Sequence, residues 1–230
     1  MLVSYPRSGS TWASFLIAEL LTGADPTFDA AHAAVPELPD VRHCHSPLGN
    51  GGRVVRSHEA WRDEYRSGGV YLVRDPRDVA VSYWRYRCWL GDFGGPLSQF
   101  VRIFLGGKVD SYGLWSSHVN SWLSQGGGDA LVVRYEDLVS NPERQLSAMA
   151  AHLGLRVSTG AVHEAVLHNT RPRMAAKEAA VRGTYFTRTD PASGFVGRGS
   201  VGGWKSILSE EAAAAIGDRF GDAMTQVGYI

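Results

Sequence analysis

Met1-Leu2-Val3-Ser4-Tyr5-Pro6-Arg7-Ser8-Gly9-Ser10-Thr11-Trp12 opens the chain, and the order of residue types in it decides the fold. A short apolar run around Leu2 and Val3 meets a proline and a basic residue, then a Ser-Gly-Ser-Thr turn. An amphipathic stretch follows, with Trp12, Phe15, Leu16 and Leu20 at helical spacing and Gly23 placed to end it. That order predicts strand, loop, helix. Such a loop lets backbone N–H groups converge on one point, and the helix adds the positive end of its dipole. Gly9 removes a Cβ where an anion must come close, Ser10 and Thr11 offer hydroxyl donors, and Arg7 adds a full charge. The stretch from Pro6 through Ser8 to Trp12 predicts a phosphate-binding loop, with an ordinary strand-to-helix turn as its rival.

The loop is not the common nucleotide version, in which a second glycine is followed by Lys-Ser/Thr and the hydroxyl holds Mg²⁺. Here the basic residue precedes the glycine, and an aromatic residue opens the helix. With 230 residues, one domain spanning 1–230 is the expectation. Lys plus Arg balance Asp plus Glu at 23 each, so an anion site must be local and no nucleic-acid partner is expected. Cys44 and Cys88 do not make a disulfide framework, which fits a reducing cytoplasm. The apolar run Leu16–Leu21 lacks a basic flank and carries Glu19, so it does not predict a signal peptide, and no stretch predicts a membrane span.

Further along, Asp25 to Gly52 shows weak periodicity and is expected to wrap the domain or cover the site. His43-Cys44-His45 lacks the second cluster that a zinc site needs. Arg53–Arg56 predicts a short strand that delivers His58 to the edge where functional groups gather in a parallel sheet. Gly69–Val73 predicts the clearest buried strand. Asp75 then caps a helix with Pro76 in its first turn, running through Ser82 and Tyr86 to Gly91. Arg74, at that strand's end, is placed for an anion. Leu97–Leu105 and Tyr112–Leu123 predict helices, the second with a Trp115, Val119, Trp122 core stripe. Tyr86, Trp89, Phe93, Phe104 and Tyr112 are candidates for an apolar acceptor pocket. Ala130–Tyr135 predicts a fourth strand, and Asn141-Pro142 another capped helix start. A helix near Thr159–Asn169 follows. Met174–Gly203 predicts a glycine-rich loop around Arg198, and Ser209-Glu210-Glu211 a final helix cap.

These stretches together resemble one family, the sulfotransferases that use 3′-phosphoadenosine 5′-phosphosulfate (PAPS), especially the cytosolic type and its bacterial relatives. Tyr5–Trp12 resembles the family's 5′-phosphosulfate loop, with Arg7 for the usual lysine. Arg56-Ser57-His58 resembles the Lys-Thr-His triplet that carries the catalytic base. Val73–Tyr83 is similar to the 3′-phosphate motif, whose arginine and serine correspond to Arg74 and Ser82. Arg134-Tyr135-Glu136-Asp137-Leu138 resembles the stretch whose tyrosine contacts adenine. Phe195–Lys205 is similar to the carboxy-terminal phosphate-gripping segment, with Gly197 where a second arginine is common.

The resemblance implies an α/β, P-loop-like three-layer fold with a central, mainly parallel sheet flanked by helices. It implies sulfuryl transfer from PAPS to a hydroxyl, less readily an amine, of a small-molecule or natural-product acceptor, leaving 3′,5′-adenosine bisphosphate (PAP). No metal is expected. His58 is the implied base, Glu59 a spare candidate, and Arg7 stabilises developing charge. Ser10 and Thr11 hold the 5′-phosphate. Arg74, Ser82, Arg198 and Gly199 hold the 3′-phosphate, and Trp12 and Tyr135 place the adenine. Arg171 falls near the family's adenine-stacking phenylalanine. The dimerisation segment is poorly kept at Ser206–Ala214, so oligomeric state stays open. The rivals are an ATP-dependent small-molecule kinase and a non-catalytic nucleotide-binding protein.

Overall fold

β1 (Leu2–Ser4) is an inner strand of a four-stranded sheet, with β2 (Arg56–Ser57) on one side and β3 (Val70–Val73) and then β4 (Leu131–Arg134) on the other. The computed structural model describes residues 1–39, 48, 52–62, 65, 69–125, 129–181, 196–197 and 199–230. Every strand pairing is parallel, with Val3 opposite Ser57, Ser4 opposite Leu72, and Val73 opposite Arg134. The carboxyl ends of all four strands therefore meet at one edge.

β3, between β1 and β4, reads as a continuous buried apolar run because helices cover both faces of the sheet there. Leu2, Val70, Leu72 and Val133 point to one face, beneath α1 (Ser10–Thr22), α2 (Phe28–Ala34), α6 (Tyr135–Ser140), α7 (Pro142–His152), α8 (Thr159–His168) and α9 (Arg171–Val181). Val3, Tyr71 and Val73 alternate to the other, beneath α3 (Pro76–Leu90), α4 (Leu97–Leu105), α5 (Trp115–Gln125) and α10 (Glu210–Gln226). This is the expected three-layer α/β arrangement. Trp115, Val119 and Trp122 are all core, as their spacing predicts. Among the described residues no helix is long and apolar enough to cross a membrane.

Several boundaries differ from expectation, each for a local reason. β2 begins at Arg56, because Pro36 and Glu37 supply the parallel neighbour that pairs with Arg56. Tyr112 is outside α5, held in a turn where its N–H donates to Asp110 Oδ1 at 2.8 Å. Tyr135 ends the sheet by starting α6. Asn141 stands at the cap position of α7, but its side chain makes no capping bond; Pro142 alone starts that helix.

The expected loop from Met174 to Gly203 is helical as far as Val181, since Met174-Ala175-Ala176-Lys177-Glu178 are strong helix formers. The glycines that suggest a loop begin later. Met174 and Glu178 form the buried side of α9, and Lys177 bonds Asn169 Oδ1 at 2.7 Å and pairs with Asp25. α2, inside the weakly periodic Asp25–Gly52 stretch, is capped by Thr27, whose side chain accepts from Ala30 N–H.

Candidate active site

The carboxyl edge of the sheet is where the sequence-predicted residues gather. After β1 the chain curls through Arg7 at φ 69° and Gly9 at φ 102°, the only non-glycine residue in the left-handed region among those described being Arg7. Backbone held in such conformations concentrates at functional sites. α1 has no side-chain cap, so its first N–H groups are left for an external acceptor. Ser8 is fully buried with its Oγ unpaired among the described residues. Ser10 begins α1, and Thr11 Oγ1 accepts from Arg56 Nη1 at 3.3 Å. A Cβ on Gly9 would lie 2.6 Å from Tyr135 Cδ2, so the loop and that ring fit only with glycine there.

Arg7, Ser82, Arg74, Tyr135 and Gly199 form one connected set. Arg7 Nε reaches Ser82 Oγ at 3.4 Å, and its guanidinium lies 4.4 Å from the centre of the Tyr86 ring. Burial pushes the Arg7 pKa down to about 10, which leaves it a cation at neutral pH. Arg74 donates to the Arg7 carbonyl at 3.2 Å and the Ser200 carbonyl at 3.0 Å, and lies 4.3 Å over the Tyr135 ring. Its Nε is buried and unpaired among the described residues. Tyr135 Oη donates to the Gly199 carbonyl at 3.2 Å.

Asp78 does more than favour the first turn of α3. Its buried carboxylate accepts from Gly202 N–H at 2.7 Å and Trp204 N–H at 2.9 Å. Arg77 chelates Asp75 and lies 4.2 Å over the Trp204 ring. α3 thus grips the segment that Arg74 also touches. Arg198 and His43-Cys44-His45 lie outside the described residues.

His58 follows Ser57, which is paired opposite Val3, and so arrives beside the loop. Its Nδ1 is 2.8 Å from the Ser4 carbonyl. A carbonyl only accepts, so Nδ1 carries the hydrogen and neutral His58 keeps a lone pair on Nε2. Burial lowers the His58 pKa, with Arg56 and Arg7 acting in the same sense and Glu37 and the Ser4 bond opposing. Behind it, His118 Nε2 donates to the His58 carbonyl at 3.1 Å and Nδ1 accepts from Tyr71 Oη at 2.9 Å. Burial lowers His118 to about 4, consistent with that neutral tautomer. Trp122 Nε1 fixes the next carbonyl, that of Glu59, at 3.1 Å.

Glu59, the spare candidate for the base, has its side chain turned outward and paired with Arg62 at 2.9 Å. Glu37 stands near the imidazole instead. One carboxylate oxygen pairs with Arg56, and the other is 3.7 Å from His58 Nε2. No sequence motif marks Glu37, and its pairing with Arg56 depends on the chain returning beside β2.

Arg7, Glu37, His58, Arg74, Ser82 and Tyr135 line one cavity of about 1300 Å³, which extends past Tyr86, Trp89 and Tyr112. Phe104 and Phe93 are not in its wall: Phe104 is wholly buried against Tyr5 and Phe220, and Phe93 packs on Phe100. Trp12 Nε1 donates to the Asn169 carbonyl at 2.8 Å and sets its ring edge-on to Tyr135. Arg171 lines the cavity with Nε bonded to the Gly197 carbonyl at 3.2 Å.

A tightly curled loop opening a helix, with Arg7 and Arg74 beside it at the carboxyl edge of a parallel sheet, is the arrangement of α/β enzymes that hold a nucleotide's phosphates there. A family model described as the sulfotransferase domain matches residues 1–228. The chain belongs to the sulfotransferase family. Sulfotransferase 1B1 of Canis lupus familiaris is 26% identical over 233 residues, covering 91% of this chain and 77% of that protein. Sulfotransferase 2B1 of Homo sapiens is 27% identical over 227 residues, covering 89% and 60%.

Among solved structures, retinol dehydratase in a complex with retinol and PAP superposes with a TM-score of 0.79 at 18% identity, covering 97% of this chain and 80% of that one. Mouse sulfotransferase SULT7A1 complexed with PAP gives 0.74 at 22% identity, covering 99% and 84%. Both share the fold.

Proposed function

We propose that the chain transfers a sulfuryl group from PAPS to a hydroxyl of a small-molecule or natural-product acceptor, with an amine the lesser substrate. It acts as one domain in the cytoplasm. The observation that carries this proposal is the grouping of Arg7, Arg74 and His58, whose Nε2 keeps its lone pair, around one cavity. Among the described residues Ser8 Oγ and Arg74 Nε have no partner and the start of α1 has no side-chain cap, and these are donors suited to phosphate groups.

When bound, PAPS supplies an activated sulfuryl group: the acceptor oxygen bonds to sulfur, the bond from sulfur to the 5′-phosphate oxygen breaks, and its electron pair leaves with PAP. His58 Nε2 takes the acceptor's proton. Arg7 and the loop N–H groups stabilise charge growing on the leaving oxygen, and Ser10 and Thr11 hold the 5′-phosphate. Arg74, Ser82, Arg198 and Gly199 hold the 3′-phosphate. Trp12 and Tyr135 place the adenine. Tyr86, Trp89 and Tyr112 suit an aromatic or alicyclic acceptor.

Calorimetric titration with PAP, with AMP and ATP as controls and no added metal, tests this. Strong preference for PAP is the expected result, followed by turnover of PAPS with phenols and alcohols. Tighter binding of ATP with Mg²⁺ would overturn it in favour of a kinase, and PAP binding without turnover across an acceptor panel would favour a non-catalytic protein.

A further inference from the structure

Glu37 is the charged group beside the ring nitrogen of His58 that takes the proton. It precedes β2, and its residue forms a parallel bridge with Arg56. One carboxylate oxygen is anchored on the Arg56 guanidinium, which also donates to Thr11 Oγ1 in the phosphate loop at 3.3 Å. The other is 3.7 Å from His58 Nε2, too far for a hydrogen bond to the neutral ring but close enough for strong attraction to an imidazolium. Glu37 also lines the cavity.

The remaining groups facing His58 come from every neighbouring element. Arg56 is on β2 and Arg7 on the phosphate loop; both are cations that resist a second positive charge. Tyr112, ahead of α5, sets its ring 5.7 Å from the imidazole. His118, on α5, is neutral and bonds the His58 carbonyl rather than its ring. Glu59 is turned towards Arg62. Among the described residues Glu37 is thus the anion set against Nε2.

We propose that Glu37 is a positioning residue for His58: held by Arg56, its carboxylate faces Nε2 and stabilises the imidazolium once the acceptor's proton has arrived. This rests on His58 being the base. Without that charge the ring is left with two partly buried cations, Arg56 and Arg7, and is a poorer proton acceptor. The same Arg56 link ties the carboxylate to the loop, so base and phosphate site share one charged connection.

The test compares wild type, Glu37→Gln and Glu37→Asp by ¹⁵N-resolved NMR titration of the histidine rings, with His58→Gln to assign the signal, and by the pH profile of kcat/KM. Gln keeps an oxygen for Arg56 and loses the charge; Asp keeps the charge. In Glu37→Gln the His58 ring is expected to titrate at lower pH than in wild type, and kcat/KM at neutral pH to fall roughly three- to tenfold. Glu37→Asp is expected to restore most of both, and PAP affinity to stay within about twofold in each. An unchanged His58 titration in Glu37→Gln overturns the proposal, even where activity falls, because loss of activity alone marks a structural role. If no variant transfers sulfuryl groups, the base assignment fails, while the ring titration still decides whether Glu37 governs His58.

Discussion

Gly9→Ala is the substitution whose cost the geometry defines most closely. At φ 102° an L side chain loses about 1–2 kcal/mol from backbone strain alone. The added methyl would lie 2.6 Å from Tyr135 Cδ2 and 2.9 Å from Cε2, where ordinary carbon contacts are about 3.5–4.0 Å, so the ring must withdraw by roughly 1 Å. It is not free to do so. Its hydroxyl is bonded to the Gly199 carbonyl at 3.2 Å and its face is covered by Arg74 at 4.3 Å. Overpacking of that kind costs about 1–3 kcal/mol more. The control is Gly91→Ala, at φ 78° with nothing within 4 Å of the added Cβ, which carries the strain without the clash. Urea denaturation is expected to show Gly9→Ala less stable than Gly91→Ala by at least about 1 kcal/mol. Calorimetry is expected to show its PAP affinity reduced about tenfold or more, because Tyr135 and Arg74 move together. Equal stability losses with unchanged PAP affinity would refute the wedge between loop and ring.

Arg74→Ala removes two charged donors to backbone carbonyls, each contributing about 1.5–3 kcal/mol, and is expected to weaken PAP about a hundredfold while AMP changes little; an unaltered PAP-to-AMP ratio contradicts the 3′-phosphate assignment. In Asp78→Ala the Gly202 and Trp204 N–H groups lose their acceptor, so hydrogen exchange at these amides should quicken and PAP affinity fall about tenfold. Wild-type exchange there would show that the segment is held by other contacts. His58→Ala should lower kcat about 10²- to 10⁴-fold with PAP affinity within about twofold, and near-normal turnover would remove His58 from the chemistry. Because burial lowers the His58 pKa, its base form is present across neutral pH and lost only as pH falls through that lowered value. In wild type kcat/KM is therefore level through neutrality and declines on the acid side; a decline already centred above neutral pH contradicts the assignment.

The edge of the sheet was legible because its chemistry is local. The apolar runs at Leu2–Ser4 and Val70–Val73 each end in a proline and an arginine within a few residues, and both lead into a helix. Parallel pairing then brings Arg7, His58, Arg74 and Tyr135 together without further information. Glu37, His118 and Asp78 were not legible in their roles. Each has a sound local explanation, as a turn residue, a helical core residue and a first-turn acid. Their partners stand 21, 60 and 124 residues away along the chain, at His58, the His58 carbonyl and Gly202 N–H. Pattern within a window of a few turns cannot carry that information. α9 was missed for the opposite reason: the glycines from Gly194 onward dominate the composition of a stretch whose first part is alanine-rich.

The grip of α3 on residues 199–204 has a consequence for synthesis. The loop after β1 leaves the ribosome well before residues 199–204, and Tyr135, Arg74 and Asp78 acquire their partners there only when Gly199 to Trp204 has followed. A nascent chain that stops short of that point holds the loop without its closure. Since a ligand stabilises only the form that binds it, nucleotide lends its protection to chains that have been made past Trp204 and leaves shorter ones exposed to proteolysis.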